Sequence, residues 1–321
     1  MLAARLMAAS LCLMASAGAQ AQSDYPSKPI TVIVPFAAGS GTDVLARTLT
    51  VAMTQDWPGA QFVVDNRPGA NGIIAAGAAA RAAGDGYTLF LTTNTTHSVN
   101  PYLYKSLPYD PQADFAAIGL AGETAPALLA AASAKAGSVA EVAALARQRP
   151  GALNFAAVNT SSLAATQLFK QQAGVKVEIV NYKAAPQALI DTSSGAIDFF
   201  FGDLASGGTL VRGGKLKALA VLSERRLPGF PEVPTTAEAG FPGLQIPIWI
   251  GLFAPKATPP AIVDRVNQVM VASLRRPEVV RALNAGAVEP RPTSPAEFAT
   301  YVAAQLQRWG KLAKDFNLQA E

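Results

Sequence analysis

The sequence predicts an α/β protein of two domains, and three observations support that fold class. The chain has 321 residues, enough for two domains of ordinary size. Half of the residues are hydrophobic and only 15% are charged, which excludes a disordered chain. Strand-like runs alternate with helical patterns, as in a mostly parallel sheet, whose ligands bind outside the carboxyl ends of the strands.

The first half of the chain contains three strands, each followed by a polar or glycine-rich loop. Residues 30–34 are a β-branched run ended by Pro35, and a glycine turn then leads into an amphipathic helix. Residues 62–64 form the second strand and run into turn formers at 65–72, followed by an alanine-rich helix. Residues 87–91 form the third strand.

The second half repeats this order more loosely. Ser138 is the expected N-cap of a helix over residues 138–148, and Glu141 completes a capping box. Further strands are predicted at residues 127–132, 153–158, 177–180, 196–201 and 216–222, with an interrupted strand region at 241–254 and amphipathic helices at 259–274 and 295–314.

Histidine and cysteine are too scarce for several kinds of chemistry. One cysteine and one histidine cannot build a zinc site of those residues, an iron–sulfur site or a disulfide framework. The net charge of +4 is not concentrated in a basic cluster, as nucleic-acid binding usually requires. His97 is more simply structural than catalytic, and no Gly-x-Ser-x-Gly motif is present. We therefore expect no cofactor, no metal, no nucleic-acid partner and no enzymatic activity.

Residues 1–21 have the pattern of a cleavable export signal. Arg5 precedes an apolar run at 6–17 that is too short to span a bilayer, and Ala19-Gln20-Ala21 is a cleavage site. Cleavage would remove the single cysteine, which suits an oxidising compartment. The alternatives are a buried N-terminal helix and a lipoprotein attached at Cys12, although a bulky leucine precedes that cysteine.

The glycine turn after the first strand, residues 36–43, predicts a site for a small anion. Glycines allow backbone N–H groups to face a ligand, and the following helix adds the positive end of its dipole. The turn matches neither a Walker loop nor a dinucleotide fingerprint. Asp43 would repel an anion unless it caps the helix, or holds loop amides or an ordered water. A purely structural turn is the alternative.

Neutral hydrogen-bonding side chains follow two other strands. Residues 92–96 read Thr-Thr-Asn-Thr-Thr, and residues 159–162 read Asn-Thr-Ser-Ser in the other half of the chain. Such donors on opposing domains suit a ligand with two polar ends, although each segment alone could be an ordinary turn.

Short motifs are spaced along nearly all of the chain after residue 24. They include Val34-Pro35-Phe36, Thr42-Asp43, residues 66–70, residues 85–89, residues 107–110, Tyr182-Lys183, residues 237–240 and Trp249 with Gly251-Leu252. Together they resemble the solute-binding proteins of tripartite tricarboxylate transporters, also called Bug receptors. The resemblance implies a two-lobed periplasmic binding protein of type II, whose lobes close over a ligand in the cleft between them.

The resemblance also implies the division of the chain and the kind of ligand. Lobe 1 is expected to comprise residues 22–122 and 251–321, and lobe 2 residues 123–250. The ligand is expected to be a small carboxylate, held through one carboxylate by the loops of lobe 1. The residues expected at the ligand are Phe36, Ala37, Ala38, Gly39, Ser40, Thr42, Asp43, Thr92, Thr93, Asn94, Thr95, Asn159, Thr160, Ser161, Tyr182, Asp203 and Trp249.

Some residues depart from the pattern of that family. Ser40 replaces a frequent glycine, and Gly202-Asp203 replaces a frequent Asp-Asn pair. The loop at 156–163 is short and lacks the usual histidine, and Gln167 stands where glutamate is usual. These changes predict a reshaped far end of the ligand pocket.

The expected function is that of a monomeric periplasmic receptor. It would deliver a carboxylate to one large and one small membrane permease subunit. Presentation of the ligand to a sensor kinase and a secreted enzyme on the same fold are the alternatives.

Overall fold

The computed structural model describes residues 25–315. The predicted signal segment, residues 1–21, lies outside the described residues. Two mixed β-sheets with packed helices form two lobes, which confirms the two-lobed α/β fold class. Within the described residues, no helix combines the length and the apolar character needed to cross a membrane.

The strands and helices alternate through most of the described chain. The strands are β1 (Ile30–Val34), β2 (Phe62–Asn66), β3 (Thr88–Thr93), β4 (Phe115–Thr124), β5 (Pro126–Ala131), β6 (Asn154–Ala157), β7 (Glu178–Asn181), β8 (Phe199–Asp203), β9 (Leu216–Val221), β10 (Ile248–Pro255) and β11 (Glu289–Pro290). The α-helices are α1 (Gly41–Asp56), α2 (Ile73–Ala80), α3 (Asn100–Leu103), α4 (Val139–Gln148), α5 (Thr160–Ala173), α6 (Ala185–Ser194), α7 (Leu204–Arg212), α8 (Pro260–Leu274), α9 (Pro277–Ala285) and α10 (Pro295–Asp315). A 3-10 turn covers Ala70–Gly72, and a π-helical turn covers Thr95–Val99.

The first sheet has the strand order β11-β4-β10-β3-β1-β2, and the second has the order β7-β6-β8-β5-β9. In the first sheet β1 runs parallel to β2 and β3, whereas β10 is antiparallel to β3 and β4. In the second sheet β6 runs parallel to β7 and β8, whereas β5 is antiparallel to β8 and β9. Both sheets are therefore mixed rather than mostly parallel, because β5 and β10 belong to the segments in which the chain passes between the lobes.

Both faces of the first sheet are buried, because its strands alternate between two apolar clusters. Val32 packs with Leu45 and Leu49 of α1 on one face, while the next residue, Ile33, packs with Phe90 and other residues on the opposite face. Burial on both faces explains why the central strands read as continuous apolar runs.

The core of the second lobe extends into segments of the first. Stacked phenylalanines, among them Phe155 and Phe201, lie at its centre. Val99 and Trp309, from the π-helical turn and α10, are buried in the same apolar cluster. The other end of α10 packs in the first lobe through Phe298, so α10 bridges the lobes.

Within residues 25–315 the chain passes from one sheet to the other twice. Only Ala125 separates β4 from β5, and the return runs from β9 to β10. The predicted cuts after residues 122 and 250 fall inside β4 and β10, and the lobe boundaries remain a prediction. The sequence patterns missed β4, β11, α3, α6, α7 and α9. β11 and α3 have only two and four residues, and the small residues of β4 give it no strand-like β-branched run.

Candidate ligand-binding cleft

A cavity of about 600 Å³ lies between the lobes, where loops from both sheets meet. Its wall comes from loops that follow β1, β2, β3, β6, β7 and β8, together with residues of β8 and β10. The lining includes residues 35–38, 40–42, 68–72, Thr93 and Thr95 from the first lobe, and residues 158–159, 161–162, 182–186, 200–203 and Ala205 from the second, with Ile248 and Ile250 from β10.

Four helices begin at this cavity. The lining includes Gly41 at the start of α1, Asn159 at the N-cap of α5, Ala185 at the start of α6 and Asp203 at the N-cap of α7. A helix N-terminus carries unpaired N–H groups and a positive partial charge. Four such ends around one cavity create a positive potential that favours an anion.

The buried Asp43 side chain holds the loop between β1 and α1 in place. Ser40, not Asp43, is the N-cap of α1, since its Oγ accepts the Asp43 N–H at 3.3 Å. One Asp43 oxygen accepts the Gly39 N–H at 2.9 Å, and the other accepts Asn66 Nδ2 at 2.9 Å. Arg47 contacts both oxygens, at 3.1 and 3.0 Å. Asp43 therefore holds a loop amide, one of the two roles that the sequence left open.

The charge of Asp43 is compensated within the protein. Burial raises the pKa of its carboxyl, but hydrogen bonds from Arg47, Gly39 and Asn66 outweigh burial and bring the pKa below its ordinary value. The carboxylate is 2% exposed and does not line the cavity. Because these partners compensate the charge of Asp43, this acid can lie close to a proposed anion site without opposing anion binding.

A second loop, residues 68–72, also lines the cavity, although the sequence indicated only a turn there. Ala70 and Asn71 have positive φ angles of 46° and 50°. Gly72 has φ of 83°, and a Cβ there would lie 2.8 Å from Thr96 Cγ2 and 3.0 Å from Pro35 Cβ. Asn71 is held by Tyr104, whose hydroxyl accepts Nδ2 at 2.7 Å. The sequence feature that could have identified residues 68–72 as part of the cavity wall is their position directly after β2, at the carboxyl end of a strand.

The threonine-rich segment after β3 divides its side chains between the cavity and the core. Thr93 and Thr95 line the cavity. Thr92 instead shares a buried hydrogen bond with Thr96, at 2.7 Å between hydroxyl oxygens. Asn94 is fully buried and has no hydrogen-bond partner for its side chain among the described residues. β3 continues to Thr93, two residues further than predicted. The π-helical turn that follows it determines which of these side chains face the cavity and which face the core.

His97 and Trp249 belong to an aromatic cluster of the first lobe. The His97 ring stacks on Phe253 with 4.0 Å between centroids, and Trp249 packs edge-on against Phe298 at 5.6 Å. Burial lowers the pKa of His97 to about 3, so the ring is neutral at physiological pH. The family resemblance predicts Trp249 at the ligand, but Trp249 does not line the cavity. Successive residues of β10 face opposite sides of the sheet, so Ile248 and Ile250 line the cavity instead.

The second lobe contributes the loop between β6 and α5. Asn159 and Ser162 form a reciprocal capping box, with Asn159 Oδ1 accepting the Ser162 N–H at 3.0 Å. Asn159 and Ser161 line the cavity, whereas Thr160 is buried behind them. This loop lacks charged side chains, so it can offer a ligand hydrogen bonds and the dipole of α5.

Tyr182 and Asp203 complete the wall of the second lobe. The Tyr182 hydroxyl donates to Asp191 Oδ2 at 2.7 Å, and burial together with this acid raises the pKa of Tyr182 to about 12. Asp203 caps α7 through Oδ1, which accepts the Ser206 N–H at 2.8 Å. Lys183 and Asp203 are the charged residues in the described lining of the cavity.

The structure brings most of the expected site residues to one cavity. Those at the wall are Phe36, Ala37, Ala38, Ser40, Thr42, Thr93, Thr95, Asn159, Ser161, Tyr182 and Asp203. Those that do not line it are Gly39, Asp43, Thr92, Asn94, Thr160 and Trp249, and they support the loops or pack in the core. For all of these residues, contact with a ligand remains a prediction.

Two α/β lobes with a ligand-sized cavity at facing strand ends define a two-lobed solute-binding protein of the periplasmic class. The chain belongs to the TctC family, the tripartite tricarboxylate transporter family receptors, whose model matches residues 45–318. This match confirms the resemblance seen in the sequence.

Known relatives and solved structures agree with that family. The chain is 33% identical to the protein BugT of Bordetella pertussis, with 97% of each chain covered. It is 33% identical to Rpa4515 of R. palustris, solved with adipate, with a TM-score of 0.87 and coverage of 92% of this chain and 99% of that one. It is 32% identical to MatC of Rhodopseudomonas palustris, solved with bound malate, with a TM-score of 0.82 and coverage of 90% and 99%.

Proposed function

We propose that this protein captures a small carboxylate in the cleft and delivers it to a tripartite tricarboxylate-type transporter. The observation that carries the proposal is the convergence of four helix N-termini on one cavity. The similar proteins solved with adipate and malate support a carboxylate as the ligand. Binding would favour the closed form by its differential affinity for that form.

The loops after β1 and β3 are the proposed site for one ligand carboxylate. Ser40, Thr42, Thr93 and Thr95 line the cavity there and offer hydroxyl groups, while the start of α1 offers backbone N–H groups. The second lobe would then bind the rest of the ligand through Asn159 and the loops that begin α6 and α7. A ligand held by neutral donors rather than by several arginines is released readily, which suits a receptor.

A thermal-shift and calorimetry screen tests the carboxylate. The purified protein is mixed with small carboxylates and, separately, with their uncharged amides. Acids are expected to raise the melting temperature and to bind more tightly than the matched amides, because only the acids complement the helix ends. Equal shifts with acids and amides would contradict the proposal.

The remaining parts of the proposal concern partners, location and chemistry. The receptor would act as a monomer in the periplasm, after removal of residues 1–21, and would dock on one large and one small membrane subunit. It would release its ligand chemically unchanged. Osmotic-shock fractionation with N-terminal sequencing tests the location, and mass spectrometry of the ligand after prolonged incubation tests for turnover.

A further inference from the structure

The Asp203 carboxylate is an acid without a basic partner in a cavity suited to an anion. Its Oδ1 accepts hydrogen bonds from the Ser206 N–H at 2.8 Å and the Ser206 hydroxyl at 2.9 Å. No basic residue of the described chain lies within 4.0 Å of either carboxylate oxygen, and Oδ2 accepts no hydrogen bond from the described residues. Asp43, by contrast, has Arg47 on both oxygens.

Asp203 also faces the start of α1 across the cleft. Gly41 is the first residue of α1, and a Cβ built on it would lie 3.0 Å from Asp203 Oδ1 and 2.9 Å from Ala205 Cβ. The carboxylate of the second lobe thus comes within a few ångströms of the proposed carboxylate site of the first lobe. At such a short distance the Asp203 carboxylate and a ligand carboxylate repel each other unless a positive group lies between them.

We propose that Asp203 binds an ammonium group of the ligand, and that the ligand is therefore an amino acid or a similar amino-carboxylate. This inference rests on the proposed function, since it assumes that the ligand carboxylate binds at the start of α1. In an amino acid the ammonium and the carboxylate are separated by a short carbon chain, so the two groups would meet Asp203 and the α1 N-terminus together.

The assignment gives Asp203 a role in specificity as well as in capping. Ammonium–carboxylate hydrogen bonds are among the stronger ones in proteins, whereas a ligand without the ammonium leaves Asp203 beside a second carboxylate. The protein should therefore discriminate against simple carboxylic acids of the same skeleton. Capping does not require the charge, because asparagine is an N-cap of similar quality.

Matched pairs of ligands test the proposal by calorimetry on the purified protein. The pairs are L-glutamate with glutarate, L-norvaline with pentanoate, L-phenylalanine with 3-phenylpropanoate, and β-alanine with propanoate. For each pair that binds, the amino member is expected to bind about 10- to 100-fold more tightly, the range for one charge-assisted hydrogen bond. In Asp203→Asn this ratio should fall to about one, with the N-cap retained.

Asp198→Asn is the matched control. Asp198 immediately precedes β8 and lies at the opposite end of that strand from Asp203. Its Oδ2 accepts the Asn154 N–H at 2.8 Å, and the residue does not line the cavity. This variant removes the same charge from the same lobe and should keep the wild-type ratio. Melting curves without ligand establish that both variants are folded.

Two results would overturn the inference. The first is binding of simple acids to the wild-type protein as tight as that of their amino partners. The second is persistence of the wild-type ratio in Asp203→Asn. Either result leaves the carboxylate receptor intact, whereas failure of every acid and amino acid in this panel and in the carboxylate screen would refute the proposed function itself.

Discussion

At the scale of single residues, Asp43 and Asp203 approach the same end of α1 and have opposite surroundings. Asp43 is buried and hydrogen-bonded to Arg47, Asn66 and the Gly39 amide. Asp203 has only Ser206 as a described partner and lines the cavity. The first therefore shapes the loop, while the second is available to a ligand.

Replacing Asp43 with asparagine should weaken carboxylate binding and leave the protein folded. Asparagine has a single acceptor oxygen, so at least one donor in the network loses its partner, at a cost of about 1–3 kcal/mol of unfolding free energy. Denaturant unfolding and calorimetry measure both effects. Asp65→Asn is the control, since Asp65 pairs with Arg67 at the surface. Unchanged affinity in Asp43→Asn would show that the Gly39 loop does not need this anchor.

His97 predicts a pH dependence of stability with a defined sign. Its pKa in the folded protein is about 3, while in the unfolded chain it returns to about 6.5. The unfolded state therefore binds the extra proton, and the stability present above pH 6.5 is lost as the pH falls toward 3. Between pH 7 and pH 5 the unfolding free energy should fall by about 2 kcal/mol.

The chain has one histidine, so few other groups titrate in this interval. His97→Phe, in contact with the Phe253 ring, should flatten the dependence between pH 5 and pH 7. Urea unfolding at a series of pH values measures both slopes. A wild-type slope that survives in His97→Phe would assign the titration to another group.

At the scale of elements, α1 and α7 meet N-terminus to N-terminus across the cleft. Gly41 and Ala205 make the contact, and the absence of a side chain at position 41 lets the helices approach. Loop chemistry predicted that α1 begins after the glycine turn that follows β1, but the cap it suggested was Asp43, whereas Ser40 is the N-cap. The start of α7 was not predicted, because the helix contains the adjacent glycines Gly207 and Gly208, which have low helix propensity.

Gly41→Ala should oppose closure of the cleft. Its Cβ would lie 2.9 Å from Ala205 Cβ, and overpacking of this kind costs about 1–3 kcal/mol. The ligand affinity should fall, and the ligand-bound protein should be less compact in solution X-ray scattering. Ala205→Gly combined with Gly41→Ala should recover part of the affinity. Gly137→Ala is the control, since its Cβ would meet only Glu141 Oε2, at 3.7 Å. No recovery in the double variant would indicate that Gly41 acts through the ligand instead.

At the scale of the whole molecule, the lobes share apolar cores. Val99 and Trp309 are buried in the cluster of the second lobe, and α10 reaches from one lobe into the other. Close to the crossing strands, Thr124 donates to the Ala287 carbonyl at 2.7 Å, and Arg225 contacts both Glu289 oxygens at 2.7 and 2.8 Å. We therefore expect the two lobes to fold and unfold together, although they can move relative to each other when the cleft closes.

The protein is accordingly expected to unfold in one cooperative transition. Calorimetry should give equal calorimetric and van't Hoff enthalpies, and fluorescence and far-UV circular dichroism should report the same midpoint. Trp309→Ala should lower the stability of the whole protein by about 3–5 kcal/mol, whereas the exposed neighbour Arg308→Ala should change it little. Two separate transitions would show that the lobes fold independently.

The sequence by itself determined the alternation of strands and helices, the glycine turn before α1 and the family of receptors. These features depend on neighbouring residues: β-branched runs, turn formers and caps act within a few positions of one another. The loops after β1, β3 and β6 were predicted to form the ligand site because each follows the carboxyl end of a strand, where α/β sheets bind their ligands, and the family resemblance placed that site between the lobes.

Only the tertiary structure decided which side chains face the cavity and what surrounds them. The two-residue period of β10 could not tell whether Trp249 or its neighbours Ile248 and Ile250 face the cavity. The approach of Asp203 to Gly41 joins positions far apart in the chain, and it depends on how the two lobes meet. Contacts of that kind arise from packing between lobes, which local sequence patterns do not encode.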